Sequence, residues 1–156
     1  MDCRHIQFCD RKSRIDYLQL QELFQLGAFW AKNRKIEDLQ VAIANSTPTI
    51  SVWDGHRLIG FARATSDGVY RATIWDVVIH PDYRGAGLGR KLVETVLSHP
   101  QVNRVERVYL MTTYQQRFYE HIGFEVLSNT TMVLHNQPLA TPLPTPVLQS
   151  QELPRA

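Results

Sequence analysis

Three glycines at alternate positions lie between two arginines, in the stretch RGAGLGR from Arg84 to Arg90. Helix interiors disfavour glycine, yet a β-rich segment precedes this stretch and an apolar pattern of helical spacing follows it. The glycines therefore fall at a helix N-terminus, where unpaired backbone N–H groups and the helix dipole attract anions. A backbone without Cβ atoms lets a phosphate approach closely, and the arginines add positive charge. The pattern predicts a pyrophosphate-binding loop; a tight strand-to-helix turn that tolerates glycine is the alternative.

The spacing of the glycines excludes two common nucleotide-binding motifs. A dinucleotide fingerprint needs G-x-G-x-x-G, and its last position falls on Arg90 when counted from Gly85 and on Leu92 when counted from Gly87. A mononucleotide P-loop needs Gly-Lys followed by Ser or Thr, whereas Gly89 is followed by Arg-Lys-Leu. The loop therefore fits a different phosphate ligand.

The loop does fit the pattern R-x-x-G-x-G, at Arg84, Gly87 and Gly89, after a strand that ends in Ile-His-Pro. This resembles the acetyl-CoA signature of the GNAT superfamily of N-acetyltransferases. The stretch RFYEHIGF, from Arg117 to Phe124, resembles that family's second motif, a helix that carries Y-E-x-x-G-F. Both motifs occur in the family's order, and the resemblance covers roughly residues 49–135. In addition, the stretch ARATSDGVYRATIWDVVIHP is similar to the corresponding part of the plant plastid and cyanobacterial serotonin N-acetyltransferases.

The resemblance implies an α/β fold with a mixed, mostly antiparallel central sheet whose central strands splay apart and are flanked by helices. Acetyl-CoA is then the co-substrate, with its pantetheine arm in the gap between the strands, and no metal is expected. The residues that the resemblance assigns to acetyl-CoA are Val77, Val78, Ile79, Arg84, Gly85, Ala86, Gly87, Leu88, Gly89, Arg90, Thr112 and Gln115. Thr112 departs from the family, because many members carry Asn there, and a hydroxyl replaces only part of that hydrogen bonding.

Two residues are candidates for acid–base chemistry. An amine attacks a thioester only in its neutral form, and the departing thiolate needs a proton. Tyr119 occupies the position of the family's general acid; a core aromatic whose hydroxyl is bonded nearby is the alternative. Asp76 lies in an otherwise apolar strand, where strand periodicity puts it on the face of Val78 and opposite Trp75, and it is a candidate base. The alternative for Asp76 is a carboxylate satisfied by the local backbone or by an arginine such as Arg63 or Arg71.

The acceptor is expected to be an arylalkylamine such as serotonin or tryptamine, on the route to melatonin. In the family the first two helices wall the acceptor side, which makes Phe29 and Trp30 the candidates for stacking on an indole ring. Two alternatives stay open. One is acetylation of protein lysines or N-termini, and the other is a domain that binds acyl-CoA without catalysis.

Periodicity and turn signals predict the helices and strands that hold these residues. Helical spacing predicts helices over residues 17–30, 36–44 and 88–98, and a short helix over 114–122 closed by Gly123. Three strands are expected within residues 49–81, divided at Asp54-Gly55 and Asp67-Gly68. Further strands are predicted at residues 104–113 and 130–135. One domain therefore spans residues 1–135, and the proline-rich residues 136–156 are predicted to be a disordered tail.

The amino-acid composition indicates the broad class of protein. The chain has 156 residues, 44% hydrophobic residues and a net charge of +2, which is typical of one soluble domain and too weakly basic to indicate nucleic-acid binding. No apolar run is long enough to cross a bilayer, and the first residues lack the apolar core of a secretory signal. Cys3 and Cys9 are expected to be free thiols rather than metal ligands, which favours the cytoplasm. The family resemblance adds that such folds often form homodimers.

Overall fold

The computed structural model of the protein describes residues 1–136. Its strands are β1 (Gln7–Cys9), β2 (Thr49–Asp54), β3 (Arg57–Ser66), β4 (Arg71–Ile79) and β5 (Arg107–Leu110). Its helices are α1 (Tyr17–Gly27), α2 (Ile36–Ala44), α3 (Leu88–Ser98) and α4 (Gln116–Glu120). Short 3-10 turns occupy Lys12–Arg14, Phe29–Ala31 and Pro81–Tyr83.

The five strands form one sheet in the order β1-β2-β3-β4-β5. The pairs from β1 to β4 are antiparallel, and β4 pairs with β5 in parallel. Both predicted hairpins form, at Gly55 and Gly68, and each glycine has the positive φ that such turns favour. The sequence-based prediction of a mixed, mostly antiparallel sheet flanked by helices is confirmed.

β4 and β5 pair along only part of their length. Their register runs from Arg71 opposite Arg107 to Ile74 opposite Leu110, where β5 ends. β4 continues to Ile79 and pairs there with β3 alone, at Gly60. The side of β4 that would face β5 is therefore open beyond Ile74, and this opening is the predicted splay. We call its closed end, where β4 leaves β5, the apex.

A β-bulge interrupts β4 at the apex. Trp75 pairs with Arg63 and Val78 pairs with Phe61, so β4 has one extra residue in this interval. Asp76 lies inside the bulge with a φ of 58°. The extra residue changes the alternation of side chains, and both Trp75 and Asp76 contact the guanidinium of Arg63. The prediction that these two side chains point to opposite faces is therefore wrong.

Two apolar clusters cover the two faces of the sheet. One lies under α3 and includes the buried residues Leu88, Leu92, Val93 and Val96 of that helix. The other lies under α1 and α2 and includes Leu20, Leu23, Phe24, Leu39 and Ile43. α1 begins at a cap in which the Asp16 carboxylate accepts hydrogen bonds from the amides of Leu18 and Gln19. The helices therefore hold the central strands from both sides.

Several elements differ from the sequence-based prediction. β1 was not predicted, and α4 spans Gln116–Glu120 rather than residues 114–122. The first helix ends at Gly27 rather than at residue 30, because Ala28 is extended and a 3-10 turn follows. β5 is shorter than residues 104–113. Residues 130–135 do not form the predicted strand, and in the described chain they pair with no other strand. β-rich composition favours a strand, but a strand also needs a neighbour to bond its backbone groups.

The chain divides into two units. Met1–Phe124 form the first, and the described part of the second, residues 125–136, has neither helix nor strand. Apart from residue 136, the predicted disordered tail lies outside the described residues. Among residues 1–136, no helix is long and apolar enough to cross a membrane, and no group of three or more His, Cys, Asp or Glu side chains could hold a metal ion. Cys3 and Cys9 are free thiols.

Candidate active site

The glycine loop lies at the N-terminus of α3, as predicted. Gly85 and Gly87 have φ values of 82° and 79°, in the left-handed region that favours glycine. A Cβ atom placed on either residue would find no atom within 4 Å, so the loop borders open space. The amide of Lys91 donates to Gly87 O at 3.1 Å, and the helical amides that precede it lack an acceptor within the helix. The loop therefore presents free N–H donors to a space that an anion can enter.

Arg84 has a structural role that the sequence did not indicate. Its Nε donates to Ile79 O at 3.1 Å and its Nη2 to Gly27 O at 3.3 Å, which ties the loop to the ends of β4 and α1. A Cβ at Gly27 would lie 2.7 Å from a methyl group of Val78, so only glycine fits there. Gly27 is thus a residue of the site that sequence analysis missed. Arg90 is exposed and pairs with the next turn of α3 through Glu94 at 2.7 Å.

The open edge of β4 joins the glycine loop to the apex. Val78 and Ile79 are buried, and Val77 packs against the cluster under α3, so the side chains are occupied in the core. The backbone groups on the side away from β3 face the opening. From Ile79 back to Trp75 the strand spans about 13 Å. An extended ligand anchored at the loop would run along this edge and end at the apex.

α4 packs against the apolar cluster under α3. Phe118 packs against the first turn of α3, since a Cβ at Gly89 would lie 3.4 Å from its ring. Tyr119 stacks edge-on against Phe118 and Phe124, with ring centroids 4.9 Å and 5.8 Å away. Burial raises the pKa of Tyr119 to about 12. This pKa keeps the phenol protonated at neutral pH. Within residues 1–136 the Tyr119 hydroxyl makes no hydrogen bond, so its proton is not shared with a neighbour.

Asp76 is held by three donors at the apex. Arg34 Nη1 and Arg63 Nε donate to its Oδ2 at 2.7 Å and 2.8 Å, and the Trp30 indole donates to Oδ1 at 3.3 Å. Burial alone raises the pKa of Asp76, but the hydrogen bonds and charges of the two arginines outweigh it and lower the pKa below the usual value. Arg63 also donates to Ser46 Oγ at the end of α2. The arginine-satisfied carboxylate is therefore present, with Arg34 as a partner that the sequence did not suggest.

Exposed aromatic side chains border the apex. Phe29 and Trp30 are 62% and 47% exposed, with ring centroids 5.1 Å apart. Tyr114, from the segment after β5, is 78% exposed and lies 6.0 Å from Phe29. We call these three residues the aromatic rim. The structure brings together the two predicted acceptor residues and adds Tyr114, which the sequence had not singled out.

Thr112 and Gln115 lie in the turn between β5 and α4. Thr112 Oγ1 accepts a hydrogen bond from the Gln115 amide at 3.1 Å. The Thr112 hydroxyl is therefore already used to shape this turn, while the Gln115 side chain is exposed. Contact of either residue with a cofactor stays a prediction.

Comparison with known proteins identifies the family. The sequence profile described as "Acetyltransferase (GNAT) family" matches residues 17–124, which include the glycine loop, the apex and α4. The chain belongs to the GNAT family. Members of this family use acetyl-CoA, and the loop fits the pyrophosphate of that molecule because its amides are free and no Cβ fills the space before them.

Individual relatives agree with this assignment. An uncharacterized N-acetyltransferase, ycf52, of Gracilaria tenuistipitata var. liui is 39% identical over 115 residues, which are 69% of this chain and 63% of that protein. The soybean protein Histone acetyltransferase TAP1 is 44% identical over 70 residues, 44% of this chain and 27% of that protein. The GNAT chain thus spans less than two thirds of the length of either relative. A crystal structure of a GNAT-family protein from Xanthomonas campestris pv. campestris has a TM-score of 0.75 and 28% identity, covering 84% of this chain and 93% of that one.

Proposed function

We propose that this GNAT chain acetylates the primary amine of an arylalkylamine, such as serotonin or tryptamine, with acetyl-CoA as the acetyl donor. The observation that carries the proposal is the aromatic rim of Phe29, Trp30 and Tyr114, which stays exposed beside the apex. Single exposed apolar side chains are common, but a contiguous exposed patch of aromatic side chains is typical of a binding surface. These three residues would bind an indole or phenyl ring by stacking.

The glycine loop and the open edge of β4 would hold acetyl-CoA. The amides at the start of α3, from Leu88 to Arg90, would bind the pyrophosphate, with Arg84 and Arg90 close by. The backbone of Val77, Val78 and Ile79 would pair with the pantetheine arm. This placement brings the acetyl group to the apex, where free β4 amides can stabilise negative charge on its carbonyl oxygen.

The reaction needs one proton donor from the protein. Acetyl-CoA supplies an acetyl thioester, so the new C–N bond replaces a C–S bond and coenzyme A leaves as a thiol. We assign the donor role to Tyr119, because its raised pKa keeps the phenol protonated throughout the neutral range. The proton that the nitrogen loses then restores the phenol, and no proton is gained or lost overall. A base role for Asp76 stays a prediction from the sequence.

A protein acceptor is the second candidate. The soybean relative is named a histone acetyltransferase, which favours lysine side chains as an alternative substrate. A lysine side chain is aliphatic, so it would gain less from the aromatic rim than an indole would. Homodimer formation and a cytoplasmic location stay predictions for this chain.

An acceptor screen tests the proposal. Thiol release from acetyl-CoA is followed with tryptamine, serotonin, spermidine and a lysine peptide supplied in turn. We expect the two indole amines to give the highest kcat/KM. If they are inert while the peptide reacts, the protein acceptor replaces the arylalkylamine. If no amine reacts and coenzyme A still binds, the chain is an acyl-CoA-binding domain.

A further inference from the structure

We propose that the acceptor enters the apex as an already neutral amine, because the Arg34–Asp76–Arg63 cluster gives the apex an excess of positive charge. Asp76 is then a positioning residue and not the proton acceptor. This inference rests on the proposed function only in requiring an amine acceptor at the apex. It does not depend on whether that amine is an arylalkylamine or a lysine.

The cluster has one negative and two positive charges. Arg34, from the segment before α2, and Arg63, from β3, both donate to the same oxygen of Asp76. The third donor, the Trp30 indole, is uncharged and comes from the Phe29–Ala31 turn. Within residues 1–136 these three are the side chains that contact the carboxylate, and its neighbours in β4, Trp75 and Val77, are uncharged. The net charge of the cluster is therefore +1.

Exposure determines which charge an incoming amine meets. The Asp76 side chain is 5% exposed, whereas that of Arg34 is 34% exposed. A proton acceptor must present a free lone pair to the substrate, but the Asp76 side chain is almost fully buried and its carboxylate already accepts from three donors. The most exposed charged group of the cluster is Arg34, which carries a positive charge and has no lone pair to offer.

A positive charge near the binding position of an amine lowers the pKa of its ammonium form. The protonated acceptor is therefore repelled, and the neutral amine binds. Its lone pair forms the C–N bond, the C–S bond breaks, Tyr119 gives its proton to the sulfur, and the proton from nitrogen returns to the phenol. Only the proton of the ammonium has to go elsewhere, and it goes to solvent before binding. No carboxylate base is needed in this sequence.

The same bonds explain what Asp76 does. Its carboxylate fixes Arg34 and Trp30, which belong to the acceptor side, against the bulge of β4. Loss of the carboxylate would therefore displace the aromatic rim as well as the bulge. Asp76 acts on the reaction through these partners.

The pH dependence of kcat/KM separates a positioning role from a base role. Profiles are measured for tryptamine and for a side-chain-fluorinated tryptamine, whose ammonium group has a lower pKa. If the indole amines are inert, two peptides replace them, one with lysine and one with the less basic aminoethylcysteine. We expect log kcat/KM to rise with unit slope and to level off at the pKa of each acceptor. Asp76→Asn keeps an oxygen that can accept a hydrogen bond from an arginine. This variant should therefore show the same dependence of kcat/KM on the acceptor pKa, with a decrease in kcat/KM of less than about tenfold. Glu106→Gln is the matched control, because it replaces an exposed carboxylate that pairs with Arg71. The pH profile and rate of this variant should equal those of the native chain.

Two results would overturn the inference. One is a break in the profile at the same pH for every acceptor, since a group of the enzyme would then be titrating. The other is loss of the rising limb in a folded Asp76→Asn protein, with a rate decrease of about a hundredfold or more. The first result would assign the proton transfer to a titrating group of the enzyme, and the second would restore Asp76 as the base.

A binding measurement covers the case in which Asp76 variants do not fold. N,N,N-trimethyltryptammonium carries a permanent charge and is titrated calorimetrically into the complex with coenzyme A. Arg34→Gln removes the excess charge and should bind this cation about tenfold more tightly than the native chain, whereas the control Arg71→Gln should not differ from it. Equal or weaker binding to Arg34→Gln would contradict the charge argument.

Discussion

Arg34 Nη1 donates a hydrogen bond of 2.7 Å to Asp76 Oδ2 across 42 positions of sequence. The bond joins the segment before α2 to the bulge of β4, at the point where β4 leaves β5. It therefore connects the proposed acceptor side of the molecule to the strand that would carry the acetyl group. The stability of the apex and, in the proposed mechanism, the charge near the acceptor both depend on this pair.

Removal of the Asp76 carboxylate should destabilise the fold. Asp76→Ala leaves Arg63, whose side chain is 16% exposed, without its counter-charge. Breaking a buried ion pair costs roughly 3–5 kcal/mol, and the partial exposure of Arg34 reduces this to about 2–3 kcal/mol. Urea denaturation followed by circular dichroism measures the change. Asp76→Asn should cost less, because Asn tolerates a positive φ. A cost of under about 1 kcal/mol for Asp76→Ala, the range of surface pairs, would contradict the buried network.

The contribution of Asp76 to stability should disappear in acid. The pKa of Asp76 is lower in the folded chain than in the unfolded one. Ionised Asp76 therefore stabilises the fold at any pH at which the carboxylate is ionised in both states. The contribution is full above the ordinary carboxyl pKa of about 4 and decreases as the pH falls below that value. The difference in unfolding free energy between the native chain and Asp76→Ala should therefore be constant from pH 5 to 7 and should shrink below about pH 4. A difference that grows in acid would show that the sign of the shift is wrong.

Tyr119→Phe should lower kcat with little effect on cofactor affinity. The phenyl ring keeps the contacts with Phe118 and Phe124 but has no proton to give. General acid catalysis typically contributes about a hundredfold or more, and we expect a loss of that order. Steady-state kinetics with a coenzyme A binding titration measure both quantities. Tyr70→Phe, on the exposed turn between β3 and β4, is the control.

The pH profile of the native chain adds a second test of Tyr119. With a pKa of about 12, the phenol does not ionise in the working range, so activity should show no decrease due to this group up to about pH 11. Full turnover of Tyr119→Phe at every pH would remove the proton-donor role.

The aromatic rim should control the affinity for the acceptor. Phe29→Ala and Tyr114→Ala each remove an exposed ring, and we expect KM for tryptamine to rise several-fold while KM for acetyl-CoA stays constant. A stacked aromatic pair is worth about 0.5–1.5 kcal/mol, which corresponds to this change. Val41→Ala, an exposed apolar residue of α2, is the control for loss of surface area. Unchanged KM values for aromatic and aliphatic amines in both rim variants would contradict the proposed acceptor.

The glycine loop could be predicted because its signals are local. The glycines, the arginines and the helical pattern lie within one short stretch, and α3 begins at Leu88 as expected. Asp76 stood out because a carboxylate is unusual in an apolar strand. Its bulge and its partner Arg34 could not be predicted, since both depend on contacts between segments distant in sequence. The same holds for Tyr114, which meets Phe29 only in the folded chain, and for residues 130–135, whose β-rich composition has no pairing partner in the described chain.

Binding of coenzyme A is the decisive measurement, because every proposed role in the reaction depends on a ligand anchored at the glycine loop. Isothermal titration calorimetry is performed on the native chain, on Gly87→Ala and on Gly55→Ala. Gly55, in the turn between β2 and β3, also has a positive φ and open space around it, so both variants carry a similar backbone strain of about 1–2 kcal/mol. We predict one bound coenzyme A for the native chain and for Gly55→Ala, and an affinity at least about tenfold weaker for Gly87→Ala. No binding to the native chain, or equal binding to both variants, would contradict the account.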